Sequence, residues 1–116
     1  MSMRVASLCL ILLMFCGVAH AQQQNNVWTF GFGVGVSFNS NPPVGITSSM
    51  NSVEAVASVC DRKTGALLFY TDGTTVYDRQ HNPMVGGNGS LFGSPSSTTS
   101  SIAVPRPGSQ FQYYII

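Results

Sequence analysis

The stretch Leu67-Leu68-Phe69-Tyr70-Thr71-Asp72-Gly73-Thr74-Thr75-Val76-Tyr77 decides the fold of this chain. Two runs rich in aromatic and β-branched residues flank Asp72-Gly73, a pair typical of a tight β-hairpin because both central residues of a type I′ turn need positive φ. Upstream, Val53 to Cys60 is predicted to be another strand, joined to Ala66–Thr71 by a short loop with a glycine. Residues 53–78 are therefore predicted to form a three-stranded antiparallel meander.

The segment Val27–Phe38 is predicted to be one long strand, because apolar and small residues alternate along it with a period of two. Asn39-Ser40-Asn41-Pro42-Pro43 then ends the strand, since proline cannot donate to a ladder and Asn and Ser favour turns. The apolar face is expected to be core and the other face nearly bare. The apolar set is Trp28, Phe30, Phe32, Val34, Val36 and Phe38, and the small set is Thr29, Gly31, Gly33, Gly35 and Ser37.

The C-terminal third of the chain predicts a loop and then a second hairpin. Residues 81–95 are rich in Gly, Asn and Ser and form the loop. Ser96–Ser101 is either a low-complexity linker or the polar start of a strand that continues into Ile102–Val104, and we favour the strand. Pro105–Ser109 is a predicted turn, and Phe111–Ile116 is the returning strand. Since the sequence stops inside this strand, we expect the chain to be an N-terminal fragment of a longer protein.

The two hairpins share one order of features. In both Val59–Phe69 and Ile102–Tyr114, a strand leads to a turn with glycine and then to an aromatic-rich strand, at an offset of about 45 residues, which is the period of β-propeller blades. No helical periodicity occurs after the N-terminal segment. We predict an all-β fold of antiparallel meanders, a partial propeller of about one to two blades. A signal-peptide helix over residues 1–21 precedes the β-region, residues 22–116.

The N-terminus has the three parts of a secretory signal. A charged start, Met1–Arg4, precedes the apolar run Val5–Val18 and the small-x-small site Ala19-His20-Ala21, so cleavage is expected after Ala21. A membrane anchor is the alternative, but the apolar run falls short of the roughly 20 residues that a spanning helix needs. A lipoprotein signal would use Cys16 as the lipidated residue, and the bulky Phe15 before it argues against that alternative.

The charge and cysteine content of residues 22–116 exclude several classes of function. With four cationic and four anionic side chains the net charge is zero, so no global field attracts nucleic acid or anionic membranes. Cys60 is the only cysteine of this region, which rules out an internal disulfide, and no Cys/His cluster has metal-ligand spacing. Cys60 is expected to be a small buried hydrophobe.

Several segments together resemble one known family, and they stand in its order. The chain looks like the N-terminal part of the large secreted proteins of gliding bacteria that carry a gliding-motility-associated, type B sorting domain at their far C-terminus. The resemblance spans residues 26–116, and its most specific part is the Leu-Leu-Phe-Tyr-Thr-Asp-Gly stretch. The segments are Asn26–Gly31, Gly65–Arg79, His81–Met84, Ser96–Thr98, Val104–Gly108 and Tyr113–Ile115.

This resemblance implies a β-propeller-like region, export by the general secretory route, and passage across the outer membrane by the type IX machinery. The chain departs from the family in length, because the remaining blades and the sorting domain are absent from it. The type IX machinery is therefore an expected partner only where the full protein has a sorting domain. The expected location is secreted or cell surface, and periplasmic without that domain.

The residues that imitate catalytic motifs have simpler structural explanations. The glycines of Val27–Phe38 lack the G-x-G-x-x-G spacing and a following helix, so they predict close strand packing and no nucleotide site. Asp72-Gly73 resembles the Asp-box turn of sialidase-type propellers, although that motif separates the two residues.

Hydrolysis of glycosides needs two carboxylates about 5–10 Å apart, and no spacing pairs the acidic residues. His81 lies in an Asn-Pro turn and is expected to be a solvated turn residue. The four acidic residues considered are Glu54, Asp61, Asp72 and Asp78.

We therefore predict no catalytic, cofactor-binding or metal-binding residue, and a non-enzymatic structural or adhesion module at the cell surface. Surface glycans or proteins are its candidate partners, and neither nucleic acid nor a stable membrane span is expected. One alternative is a fragment of a propeller-fold glycan hydrolase or carbohydrate-binding protein with catalytic residues in other blades. Another is a piece of an outer-membrane β-barrel with Val27–Phe38 as a barrel strand, a fold that needs at least eight strands.

Overall fold

The computed structural model describes residues 22–54, 56–94, 96 and 101–116. The predicted signal peptide, residues 1–21, and most of the polar start before Ile102 lie outside these residues. The described part of the chain contains eight strands and no helix, so the all-β antiparallel prediction is confirmed. The strands are β1 Val27–Phe30, β2 Phe32–Ser37, β3 Val44–Asn51, β4 Ala57–Cys60, β5 Leu67–Thr71, β6 Val76–Asp78, β7 Ala103–Pro105 and β8 Tyr113–Ile115.

The predicted meander of residues 53–78 is confirmed as the sheet β4-β5-β6, in which neighbouring strands pair antiparallel. Its first strand is shorter than predicted and begins at Ala57 rather than Val53. The residues before it connect two sheets: the Ser52 N–H donates to the carbonyl of Gly31, and the Val53 side chain is 65% exposed. Val53 and Val56 of this connection are typical strand residues in sequence, but they lie outside the strands.

The turn at Asp72 differs from the predicted two-residue type I′ turn. Thr71 pairs with Val76, which leaves a four-residue loop, and only Gly73 has positive φ, at 87°. The Asp72 side chain explains the difference, because its Oδ1 accepts the N–H groups of Thr74 and Thr75 at 3.0 and 2.8 Å. A side chain that caps two backbone donors stabilises a wider loop than a bare hairpin turn does.

We expect Gly73→Val to destabilise the chain by about 1–2 kcal/mol, because a β-branched residue at positive φ is strained. Urea unfolding followed by circular dichroism measures the change. Gly45→Val is the control, since a Cβ at that strand position meets no atom within 4 Å. Equal midpoints for the two variants would contradict the positive φ at Gly73.

The prediction of one long strand over Val27–Phe38 is wrong, because the segment folds into the hairpin β1-β2. Val27 pairs with Ser37 and Phe30 with Val34. The reversal occurs at two glycines with positive φ, Gly31 at 59° and Gly33 at 75°. The alternation of residues cannot distinguish the two structures, since cross-strand partners in a hairpin share a face.

The prediction that the apolar face of this segment is core is also wrong. Trp28 is 55% exposed and Phe32 69% exposed, and Phe38 packs edge-on against Trp28 at the surface. The small residues face inward instead: the Thr29 Oγ1 lies 2.8 Å from the Ser58 Oγ of β4, and Thr29 is 1% exposed. Small side chains let strands β1 and β4 approach closely, so the large apolar side chains lie on the opposite, exposed face.

Strand β3 was not predicted, because Gly45 and the pair Ser48-Ser49 interrupt the strand-forming residues of its sequence, VGITSSMN. It pairs antiparallel with β2 and completes the sheet β1-β2-β3. Its later residues reach the meander, where the Ser49 N–H donates to the Tyr70 hydroxyl, and the next residue, Met50, is 2% exposed. This strand therefore connects the sheet β1-β2-β3 with the meander.

The C-terminal hairpin β7-β8 is confirmed, with Ala103 opposite Ile115 and Pro105 opposite Tyr113. It packs on the meander through an edge-to-face contact between the rings of Phe69 and Tyr113, whose centroids are 5.2 Å apart. β4 begins at residue 57 and β7 at 103, while β5 begins at 67 and β8 at 113, so both strands recur at the same spacing of 46 residues. The small core between the two units contains Val59, Phe69, Val76, Leu68, Leu91, Ala103, Tyr113 and Ile115.

Candidate functional site

A polar cluster centred on Tyr70 joins β3, β5 and the turn after β6. The Tyr70 hydroxyl accepts the Ser49 N–H at 2.7 Å and lies 3.1 Å from the His81 Nδ1. The phenol and the imidazole nitrogen form one hydrogen bond, in which the His81 tautomer determines which group donates. The Ser49 hydroxyl donates to the His81 carbonyl at 2.8 Å. His81 is thus fixed by both its ring and its backbone.

Aromatic stacking continues the cluster toward Asp72. The ring of Tyr70 stacks on Tyr77 with centroids 5.0 Å apart, and the Tyr77 hydroxyl donates to the Asp72 Oδ2 at 3.2 Å. Burial raises the pKa of the Tyr70 hydroxyl, and the charges of Asp78 and Asp72 raise it further against the opposing bond from Ser49. Burial, with the Asp72 charge and hydrogen bond, also raises the pKa of Tyr77. Both phenols therefore stay protonated at neutral pH, and the Tyr77 hydroxyl donates to Asp72.

Asp72 is a carboxylate in a nearly closed environment, only 3% exposed. Burial by itself raises its pKa, but the N–H groups of Thr75 and Thr74 and the hydroxyls of Thr74 and Tyr77 outweigh burial and lower the pKa. A carboxylate that accepts several hydrogen bonds is stabilised in its charged form. Asp72 is therefore an ionised acceptor that holds its loop, a poor match for a general acid.

The three aspartates considered as catalytic candidates all cap backbone N–H groups in their own turns. Asp61 Oδ1 accepts from Lys63 and Thr64, as Asp72 Oδ1 accepts from Thr74 and Thr75. Asp78 Oδ1 accepts from Gln80 and Asn82 at 2.8 and 2.9 Å. Glu54 lies exposed on the connection before β4. The pattern shared by the aspartates is that of turn residues.

His81 has a more constrained setting than that of a solvated turn residue. Its backbone has φ of 68°, unusual for a residue other than glycine, and its side chain is half-buried against Tyr70. The ring contacts the Tyr70 phenol, whereas the Ser49 hydroxyl donates to the backbone carbonyl of His81 and not to the ring. Within the described residues, no serine or cysteine side chain therefore forms a hydrogen bond with the imidazole. Among the described residues, no group of three or more His, Cys, Asp or Glu side chains could hold a metal ion.

Cys60 and the glycines of β1-β2 have structural roles. Cys60 is fully buried, with its Sγ 3.8 Å from the carbonyl of Val27, and burial raises the pKa of its thiol. Gly31 and Gly33 form the hairpin reversal described above, and Gly35 lies in β2, where a Cβ would be 2.5 Å from the carbonyl of Trp28. The close strand packing predicted at these glycines thus applies at Gly35.

A cleft of about 1330 Å³ lies between the meander and the β7-β8 hairpin. One wall comes from β5, β6 and the loop 84–91, and the other from the hairpin. Polar residues enter the lining from the N-terminal segment and from the turns that follow β4 and β7. The cationic and aliphatic side chains of the lining include Arg62, Lys63, Leu68, Val76, Met84, Leu91 and Ile115.

Sequence reasoning did not identify this cleft or the Tyr70 cluster. The cluster depends on β3, whose Ser49 has no strand signal, and on the folding back of β1-β2. The cleft depends on packing between two hairpins about 46 residues apart in sequence. The apolar residues of loop 81–95, especially Met84 and Leu91, were the available signal, because a purely solvated loop has no need of them.

The described residues contain no helix long and apolar enough to cross a membrane. Comparisons of the chain with models of protein families, with curated proteins and with solved structures give no match.

Proposed function

We propose that this chain is a non-enzymatic, secreted or cell-surface structural and adhesion module of β-propeller type, belonging to a gliding-motility-associated protein. The observation that carries the proposal is the recurrence of the β4-β5 hairpin as β7-β8 at a spacing of 46 residues, with the second unit packed on the first. Repeated short antiparallel strands of this period are typical of propeller blades.

The use of the aspartates favours a structural module over a hydrolase. Asp61, Asp72 and Asp78 each accept hydrogen bonds from two backbone N–H groups of their own turns. A glycosidase acid needs a raised pKa, whereas the pKa values of Asp61 and Asp72 are lowered. At Asp61, the hydrogen bonds from Thr64 and Lys63 are the main cause.

Export is tested by expressing the full sequence in a Gram-negative host and measuring the intact mass of the protein. We expect a mass that begins at Gln22, because the N-terminus has the order of parts that signal peptidase recognises. Ala21→Leu is the matched variant and should block cleavage at that bond. Retention of residues 1–21, or a diacylglycerol on Cys16, would contradict the proposal.

The non-enzymatic role is tested by incubating the chain with a panel of surface glycans while binding and product release are both measured. The proposal expects binding without cleavage. Release of a shortened glycan that is abolished by Asp72→Asn or Glu54→Gln would establish a hydrolase instead.

A further inference from the structure

The lining of the cleft between the meander and β7-β8 includes a group of aliphatic side chains beside aromatic and polar ones. Its side chains from β5, β6, the loop and β8 include Leu68, Val76, Met84, Leu91 and Ile115. Aliphatic side chains present no flat ring on which a sugar can stack. This aliphatic part of the lining therefore suits an aliphatic occupant.

Two of the three aromatic rings in the cleft lining, those of Phe69 and Tyr113, pack against each other and are not free to stack on a sugar. Phe69 is 9% exposed, and Tyr113 meets it edge-to-face at an interplanar angle of 71°. This contact holds the hairpin against the meander. Phe111 is the third aromatic residue of the lining and is 89% exposed, so a single free ring is available to a glycan.

Cationic side chains enter the lining at one turn, after β4. Arg62 and Lys63 are both exposed there, and within the described part of the chain neither side chain forms a salt bridge or a hydrogen bond. The neighbouring Asp61 carboxylate attracts Lys63 but directs its Oδ1 to three donors of its own turn. A local positive charge thus stands at the cleft although the net charge of residues 22–116 is zero.

The size of the cleft indicates a long occupant. Its volume of about 1330 Å³ exceeds the roughly 300–1,000 Å³ of pockets for drug-sized ligands. An extended acyl chain buries apolar surface along such a wall, and its terminal carboxylate complements free cations at one end.

We propose that this cleft binds a long-chain fatty acid, with the acyl chain against the aliphatic wall and the carboxylate at Arg62 and Lys63. The inference stands on the cleft alone and does not rest on the proposed adhesive function. A membrane surface and a glycan are the competing occupants, and the test separates them.

The test measures binding of palmitate to the purified chain by isothermal titration calorimetry below the micelle concentration. Saturable binding of palmitate is expected, with weaker binding of hexadecanol, which has the same chain without the charge. Cellohexaose and vesicles of phosphatidylglycerol are the competing probes. Binding of either probe without palmitate binding would overturn the proposal, as would the absence of palmitate binding.

Charge variants locate the headgroup. Combined Arg62→Gln and Lys63→Gln should weaken palmitate binding roughly fivefold, the scale of two exposed charge contacts, and leave hexadecanol binding unchanged. Arg79→Gln is the matched control, because Arg79 is exposed and lies outside the cleft lining. Equal loss in the control, or no loss in the double variant, would overturn the assignment of the carboxylate.

A wall variant locates the acyl chain. Met84→Glu places a carboxylate on the wall at a residue that is 44% exposed, and should weaken palmitate binding at least tenfold because both chain and headgroup are disfavoured. Val53→Glu, at a residue 65% exposed and outside the lining, should bind normally. Normal binding by Met84→Glu would place palmitate elsewhere and overturn the proposal.

Discussion

Asp72→Ala is expected to lower the free energy of unfolding by about 3 kcal/mol, because several buried donors lose their common acceptor. The Asp72 carboxylate accepts the N–H groups of Thr74 and Thr75, the Thr74 hydroxyl and the Tyr77 hydroxyl. Thr75 is 8% exposed, so its N–H is poorly placed to find water instead. Chemical denaturation monitored by circular dichroism measures the change.

Asp72→Asn is the matched variant and should cost on the order of 1 kcal/mol, because its amide oxygen keeps the bonds at Oδ1 while the charge is lost. This differs from a bare Asp-Gly turn, where Asn serves equally well. The amide nitrogen would face the Tyr77 hydroxyl, which must then accept rather than donate. Equal destabilisation by Ala and Asn would contradict the capping role of Oδ1.

The lowered pKa of Asp72 gives the same variants a pH dependence. Since the folded pKa lies below the unfolded value of about 3.9, the carboxylate stabilises the fold above that value, and this stabilisation is lost as the pH falls through the folded pKa. The stability difference between the parent chain and Asp72→Asn should therefore shrink as the pH falls from 7 to 3. A difference that grows toward low pH would contradict the hydrogen bonding at Asp72.

Tyr70→Ala is expected to destabilise the chain by about 4 kcal/mol, because it leaves a cavity where the largest fully buried side chain was. Its ring stacks on Tyr77, and its hydroxyl joins Ser49 of β3 to His81. Tyr70→Phe keeps the ring and should cost about 1 kcal/mol, the value of the bond to the Ser49 N–H. Urea midpoints separate the two contributions.

Tyr114→Phe is the control for Tyr70→Phe, because Tyr114 is 51% exposed. An NMR spectrum gives an independent reading, since loss of the Tyr70 hydroxyl should shift the His81 ring and the Ser49 amide together. An unchanged His81 signal would show that the phenol does not join β3 to the turn.

The meander could be predicted because the residues that determine its strands and turns are close together in sequence. Aromatic and β-branched residues of Leu67–Thr71 favour a strand, and Gly73 marks the reversal that the structure places at that residue. The second hairpin, Ala103–Ile115, followed from the same kind of signal. The start of β4 and the form of the Asp72 turn were predicted wrongly, the latter because it depends on a side chain that competes with the backbone.

The error at Val27–Phe38 has a different cause. A period of two places side chains on faces but does not say which face is buried, or whether the segment continues or turns back. In the structure, Thr29 of β1 contacts Ser58 of β4 where the two strands lie close together. The face with the small side chains is therefore the buried one. The Tyr70 cluster and the cleft could not be predicted, because both arise from contacts between segments far apart in sequence.

The burial of Cys60 affects the reactivity of its thiol in an oxidising compartment. Thiol–disulfide exchange proceeds through the thiolate, and both the raised pKa and the closed surroundings of this sulfur reduce attack on a partner disulfide. Once the chain is folded, crosslinking between copies through mixed disulfides is therefore slow. An unpaired cysteine is in this way compatible with export, provided that β1 covers β4 before oxidants reach the sulfur.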